Sequence, residues 1–153
     1  MLNPGSQAPE LLLEDQKGRM FRLSSLRGKS CAVVYFYPKD ETPVCTAEAC
    51  GFRDRFADFE ALGAVVIGIS RDSATSHRAF AERHRLPFLL LSDPQEEAFR
   101  AFGLKHILGF RQRATFVVDD RGIIRASITS WLDADKHVRN ALKALRAQRF
   151  TRS

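Results

Sequence analysis

The segment Tyr37-Pro-Lys-Asp-Glu-Thr-Pro-Val-Cys-Thr-Ala-Glu-Ala-Cys50 concentrates the residue types that could do chemistry. It holds two of the three cysteines of the chain, Cys45 and Cys50; the third is Cys31. Thr42 suits a helix N-cap and Pro43 the first helical position, which puts Cys45 in the first turn of a helix. Unpaired backbone N–H groups and the positive end of the helix dipole meet there, and both favour thiolate over thiol. Cys45 is therefore a candidate nucleophile with a depressed pKa. A competing reading makes it a small space-filling residue, since Cys45, Ala49, Phe52, Phe56 and Phe59 share one helical face.

Cys50 bears on that choice. Residues five apart in a regular helix are separated by about 7.5 Å of rise and about 140° of rotation. Their Cα atoms would stand roughly 8 to 9 Å apart, beyond the roughly 7 Å reach of a disulfide. A resting bridge within an intact helix is thus not expected. If the two sulfurs react, the first turn and a half must unwind, which ties redox chemistry to local unfolding.

The elements that must position this segment read clearly. Cys31 to Tyr37 is a continuous apolar run that suits a strand buried on both faces, and Ala64 to Ile69 and Phe88 to Leu91 repeat the pattern. Ala114 to Val118, the turn Asp119-Asp-Arg-Gly122 and Ile123 to Ile128 read as a hairpin. Leu11 to Leu13 and Met20 to Leu23 read as another around Asp15 to Gly18. Helices fill the gaps: one carrying Phe52, Phe56 and Phe59, and one capped by Asp72 or Ser73 and running to about Arg85. A third opens at Asp93-Pro94 and continues through Phe102, and a last is capped by Asp133 with Val138, Leu142 and Leu145 on its apolar side. The expected architecture is one α/β domain over residues 1–153, with a central sheet covered on both faces and an N-terminal β-hairpin. The Cys45 segment then lies beyond the C-terminal edge of the sheet, where α/β proteins place their sites.

Composition sets the outer bounds. The chain has 153 residues, 44% hydrophobic and 27% charged, which suits one globular domain and excludes wholesale disorder. No apolar run approaches the roughly 20 residues of a membrane span. Residues Met1 to Pro9 lack a secretory pattern, so a cytoplasmic location is expected. The net charge of +6 resides in Lys136, Arg139, Lys143, Arg146, Arg149 and Arg152. Their spacing reads as a solvated face of the last helix, and no aromatic platform or recognition motif points to nucleic acid. An odd cysteine count excludes a fully paired framework. His77, His84, His106 and His137 are scattered, so neither a metal nor a cofactor is expected; each histidine reads as a packing or surface residue. Cys31 and Trp131 read as packing residues. Arg111 and Arg113 would share one strand face, and periodicity does not choose between them.

Pro38, Thr42 and Cys45 reproduce the Pro-x-x-x-Thr-x-x-Cys signature of peroxiredoxins, and the preceding Val33-Val-Tyr-Phe-Tyr-Pro38 is similar too. The second cysteine five residues on resembles the Q-type subgroup, the bacterioferritin-comigratory-protein class. The resemblance extends to Leu12–Leu23, Ile67-Gly-Ile-Ser70, Leu91-Ser-Asp93 and Arg113-Ala-Thr-Phe-Val-Val-Asp119. The stretch Leu104 to Gln112 looks shorter than in typical Q-type members. The resemblance implies a thioredoxin-like fold, a central mixed sheet and a thiol peroxidase. In it Cys45 matches the peroxidatic cysteine and Thr42 the hydroxyl that bridges thiolate and peroxide. Pro38 matches the residue shielding the pocket, and Arg113 the guanidinium that stabilises thiolate and transition state. Glu48 matches a glutamate orienting that arginine, and Cys50 the resolving cysteine of an intramolecular disulfide. A peroxide substrate, thioredoxin or a similar dithiol reductant, and a monomer are implied as well. Two alternatives stay open on the residues: a dithiol–disulfide oxidoreductase of the same fold, and a non-enzymatic binding module using the basic terminal helix.

Overall fold

Seven strands form one sheet in the computed structural model of the chain. The structure describes residues 1–152, with side chains through residue 148. The strands are β1 (Leu12–Asp15), β2 (Met20–Arg22), β3 (Cys31–Phe36), β4 (Ala64–Ser70), β5 (Leu89–Ser92), β8 (Ala114–Val118) and β9 (Ile124–Thr129). A separate two-residue pair, β6 (His106–Ile107) and β7 (Phe110–Arg111), fills the short stretch before β8. The helices are α1 (Pro43–Asp54), α2 (Phe56–Ala61), α3 (Ala74–His84), α4 (Glu97–Ala101) and α5 (Ala134–Arg152).

The apolar strands take the central places. β3 pairs in parallel with β4 and antiparallel with β8, and β4 pairs in parallel with β5, so the sheet is mixed. Both expected hairpins form, β1 with β2 and β8 with β9. Side chains alternate across the sheet with the period of two that strands impose. Val33, Tyr35 and Tyr37 enter one core with Cys45, Ala49, Phe52, Phe59 and the apolar side of α5. Ala32, Val34 and Phe36 enter a second core on the opposite face, with Phe99, Phe102 and Phe116. Gly68 of β4 lets the buried Tyr35 ring lie against its backbone, since a Cβ there would stand 2.7 Å from Tyr35 Cζ.

Several local expectations are corrected. The helix carrying the three phenylalanines breaks at Arg55, whose φ of −107° and ψ of 13° close α1 and start α2. Phe52 and Phe59 are buried and Phe56 half-buried. Ser73 caps α3, accepting from Ser76 N at 3.1 Å, while Asp72 turns to the segment before α1. Asp93 does not begin a helix at Pro94. Its carboxylate accepts from Ala98 N and Phe99 N at 3.3 and 3.0 Å, so it holds the first turn of a shorter α4. Asp133 caps α5 as expected, accepting from Lys136 N at 3.0 Å. Trp131 is not packed away; it is 43% exposed in the turn before α5. Cys31, at the start of β3, is half-buried against the first core. The basic stripe of α5 faces solvent at Lys136, Arg139, Lys143 and Arg146, while the side chains of Arg149 and Arg152 lie outside the described residues. Among the described residues no helix is long and apolar enough to cross a membrane.

Candidate active site

β3 ends at Phe36 and the chain leaves the sheet edge through Tyr37, Pro38 and Asp40 before α1 begins. Two buried groups tie that segment down. Asp40 accepts from the Tyr37 hydroxyl at 2.6 Å and from the Ser76 hydroxyl at 2.8 Å, and it lies 2.8 Å from His77 Nδ1. His77 Nε2 reaches the Leu91 carbonyl at 2.9 Å, and Asp40 N donates to Asp72 at 2.8 Å. Asp40, Asp72 and His77 thus offer ligand-type atoms within 4.8 Å of one another, but all three are engaged in this hydrogen-bonded web. Glu41 follows with a φ of 66° and meets Arg83 and His84 of α3. The result is a fixed entry into α1.

Thr42 occupies the N-cap position with extended backbone and Pro43 follows at the first helical position. The Thr42 hydroxyl does not cap the helix; it donates to the Lys39 carbonyl at 2.9 Å. Its oxygen keeps acceptor capacity, and donation to a bound group requires the hydroxyl to turn. Cys45 sits in the first turn of α1, where backbone N–H groups have no intrahelical partner. It is buried, at 1% exposure, and it packs within the first core. The space-filling and reactive readings of Cys45 are therefore compatible.

Arg113, just before β8, chooses between the two arginines. Its NH2 group donates to Cys45 Sγ at 3.2 Å and its NH1 group to Glu48 Oε1 at 3.0 Å. Arg111 instead turns away to Glu96, at 3.4 Å, beside the β6–β7 pair. Arg113 and Glu48 are both buried. Burial outweighs the arginine's attraction at Glu48 and pushes its carboxyl up to about 8. Cys50 is half-buried on the same helix, and no bridge joins it to Cys45. The structure thus brings Cys45, Glu48 and Arg113 into direct contact, with Pro38 and Thr42 on the segment leading into the site. Cys50 stays one helical turn and a half away along α1.

Two participants were missed by reasoning from sequence. His137 of α5 lies 3.5 Å from Glu48 Oε2, and Thr115 of β8 lies 2.8 Å from His137 Nδ1. Thr115 is two residues from Arg113, so strand alternation could have placed it beside the arginine. Nothing in the local pattern of α5 singled out His137.

Chemically the site is a buried sulfur held in the first turn of a helix beside a fixed guanidinium. Residues 4–127 match the model of the AhpC/TSA family. Peroxiredoxin Q of Sedum lineare chloroplasts is 43% identical over 94% of this chain and 77% of that protein. The Populus jackii chloroplast protein of the same name is 41% identical over 95% of this chain and 69% of its own. Peroxidoxin BcpB of Mycobacterium tuberculosis superposes with a TM-score of 0.89 at 37% identity, covering 96% of this chain and 98% of that one. The bacterioferritin comigratory protein of Xanthomonas campestris superposes with a TM-score of 0.82 at 30% identity, covering 97% of both. The fold and site define a thioredoxin-like cysteine enzyme. The chain belongs to the AhpC/TSA family and is a thiol-dependent peroxidase of the peroxiredoxin class.

Proposed function

We propose that the chain reduces hydrogen peroxide and small organic hydroperoxides through Cys45, with Cys50 as resolving cysteine and thioredoxin or a similar dithiol as reductant. The observation that carries this reading is the 3.2 Å approach of Arg113 to a sulfur in the first turn of α1. Cys45 Sγ attacks one peroxide oxygen, the O–O bond breaks, and a sulfenic acid forms while the other oxygen leaves as alcohol or water. Negative charge grows on the departing oxygen, and donors already fixed around it lower the barrier. Arg113 suits this because its charge is permanent and its donors are rigid. Thr42 supplies a hydroxyl between thiolate and peroxide by turning from Lys39, Pro38 keeps water from the sulfur, and Glu48 holds Arg113 in place.

Sulfenic acid is reversible but its further oxidation largely is not, so a nearby thiol protects the enzyme. Cys50 condenses with the Cys45 sulfenic acid once the start of α1 unwinds, releasing water and forming an intramolecular disulfide. An external dithiol then reduces it by thiol exchange. The burial of Cys45 argues against the rival dithiol–disulfide oxidoreductase, whose protein substrates must reach the attacking sulfur. The protein acts as a single-domain monomer in the cytoplasm in this reading.

One experiment tests the assignment. Reduced protein is treated with one equivalent of hydrogen peroxide and the products are mapped by mass spectrometry. The wild type yields a Cys45–Cys50 disulfide, Cys50→Ser a stalled or overoxidised Cys45, and Cys45→Ser no rapid reaction. Rapid peroxide consumption by Cys45→Ser overturns the proposal.

A further inference from the structure

Arg113 faces two acids with a single charge. One guanidinium nitrogen donates to Cys45 Sγ and the other to Glu48 Oε1, at 3.2 and 3.0 Å. Glu48 is fully buried, and Arg113 is only 6% exposed at its side chain. Among the described residues, the groups facing Glu48 from the neighbouring elements add no second cation. Tyr35 of β3 remains a neutral phenol, because burial above all raises it well above its ordinary range. From α5, His137 has Nε2 3.0 Å from the Ser130 carbonyl, which only accepts, so Nε2 carries the hydrogen and Nδ1 is left as an acceptor. The Thr115 hydroxyl of β8 supplies the donor to that Nδ1 at 2.8 Å. Burial, and after it the Arg113 charge against the opposing Ser130 contact, hold His137 below its ordinary value and neutral.

The second carboxylate oxygen of Glu48 completes the picture. Oε2 is buried with no hydrogen-bond partner among the described residues, and it faces His137 Nδ1 across 3.5 Å. If Glu48 were ionised, that oxygen would meet no donor, since Nδ1 carries no hydrogen and its single lone pair already accepts from Thr115. Protonation of the carboxyl removes a buried charge that nothing at Oε2 compensates. Two anions around one buried guanidinium would also leave a net negative charge in a low-dielectric interior, which is costly.

We propose that Arg113 serves its two acids in turn: Glu48 is a protonated carboxylic acid while Cys45 is a thiolate, and Glu48 ionises when Cys45 becomes a sulfenic acid. The inference rests on the peroxidase reading and adds a proton-balancing role for Glu48. In the step, Sγ attacks the distal oxygen of ROOH, an S–O bond forms and the O–O bond breaks. Sulfur loses two electrons to the peroxide, and the departing RO⁻ takes up one proton to leave as ROH. Glu48 gives up one proton in the same event. The sum, S⁻ + ROOH + COOH → SOH + ROH + COO⁻, draws no net proton from solvent. The guanidinium, released by the neutral sulfenic acid, then belongs to the Glu48 carboxylate. The upward displacement of the Glu48 carboxyl to about 8 agrees with its being protonated in the resting site at neutral pH.

The test counts protons. Cys50→Ser protein, reduced and shown by ultraviolet thiolate absorbance to hold Cys45 as thiolate, is mixed with one equivalent of hydrogen peroxide. The medium is weakly buffered at neutral pH and contains an indicator dye. Proton uptake per sulfenic acid formed is expected near zero with Glu48 present and near one after Glu48→Gln. A merely structural Glu48 would alter the rate and not this ratio. One proton taken up by both proteins, or none by both, overturns the proposal. Should Glu48→Gln not fold, infrared difference spectra of the parent protein read the same event. The carbonyl band of a buried protonated carboxyl disappears on oxidation, and its persistence or prior absence overturns the inference. Failure of peroxide to oxidise Cys45 at all is a separate outcome, and it overturns the peroxidase reading together with this one.

Discussion

Arg113 donates to Cys45 and to Glu48 through different nitrogens, a task that needs a planar fork of donors. Lysine offers a compact ammonium that cannot span both partners in the same geometry. Arg113→Lys is expected to lower kcat/KM for hydrogen peroxide by roughly 100- to 1000-fold, the usual scale for losing a fixed donor at a developing anion; stopped-flow peroxide consumption measures it. Glu48 makes a second, thermodynamic prediction. Its carboxyl rises from 4.5 to about 8 on burial, so between those values the folded state binds more protons than the unfolded state. Stability must therefore fall as pH rises from 4.5 to about 8 and level off above. His137 opposes this, because its lowered value removes stability as pH falls below 6.5. Denaturant titrations of the reduced protein across that range should show the Glu48 slope, and Glu48→Gln should abolish it. At this scale the sequence was legible at Cys45, whose place in the first turn of a helix followed from Thr42 and Pro43, while Pro38 and Glu48 were named by resemblance. Arg113 was narrowed to a pair by strand alternation and chosen by resemblance. His137 was illegible because its partner lies 89 positions earlier in the chain, and only packing of α5 against α1 brings them together.

The elements around Cys45 divide into a fixed part and a yielding part. The entry to α1 is fastened at Asp40 by Tyr37, Ser76 and His77, and farther on Gly51 lies under Val138 of α5, whose Cγ2 stands 3.1 Å from where a Cβ would be. Between these two fastenings lie residues 42 to 50, the stretch that must unwind for Cys50 to reach Cys45. His77 is thus a support for the immobile end. His77→Leu leaves Asp40 Oδ2 and the Leu91 carbonyl each short of one buried partner, and a buried polar group left unsatisfied costs about 1–3 kcal/mol. A fall of that order in urea stability is expected, whereas a change within about 0.5 kcal/mol, typical of a surface site, would contradict it. Helix existence was readable from periodicity, but the break at Arg55 and the late start of α4 were not. Apolar spacing runs smoothly across Phe52, Phe56 and Phe59, and the backbone turn at Arg55 carries no glycine or proline to announce it. At α4, Asp93 caps from a distance of five residues, a geometry that adjacency rules do not describe.

Across the whole molecule the sheet separates two cores, and only one touches the chemistry. The far core is aromatic: Phe116 lies with its ring centroid 5.0 Å from Phe102 and 6.0 Å from Phe36. Phe116→Ala should cost about 3–5 kcal/mol, the range for a buried phenylalanine, while the peroxide rate constant of the remaining folded protein stays unchanged. Paired urea and stopped-flow measurements test both halves, and a rate loss exceeding the loss of folded protein would show that the cores are coupled. The strands of the main sheet and both of its hairpins were foreseeable, since fully apolar runs mark central strands and turn residues mark hairpins, whereas the short β6–β7 pair carried no such signal. The order β2-β1-β5-β4-β3-β8-β9 was not, because hydrophobic runs state what is buried and not what lies beside it.

Trp131 stands half-exposed in the turn that leads into α5, and it is the one tryptophan of the chain. Its neighbour Ser130 provides the carbonyl that holds His137 Nε2 at 3.0 Å. The indole therefore reports from a single place, one residue along the chain from the carbonyl that holds the ring facing Glu48. Emission excited selectively in tryptophan is expected to change without an attached dye if oxidation at Cys45 moves this turn, and stopped-flow fluorescence after one equivalent of peroxide checks it.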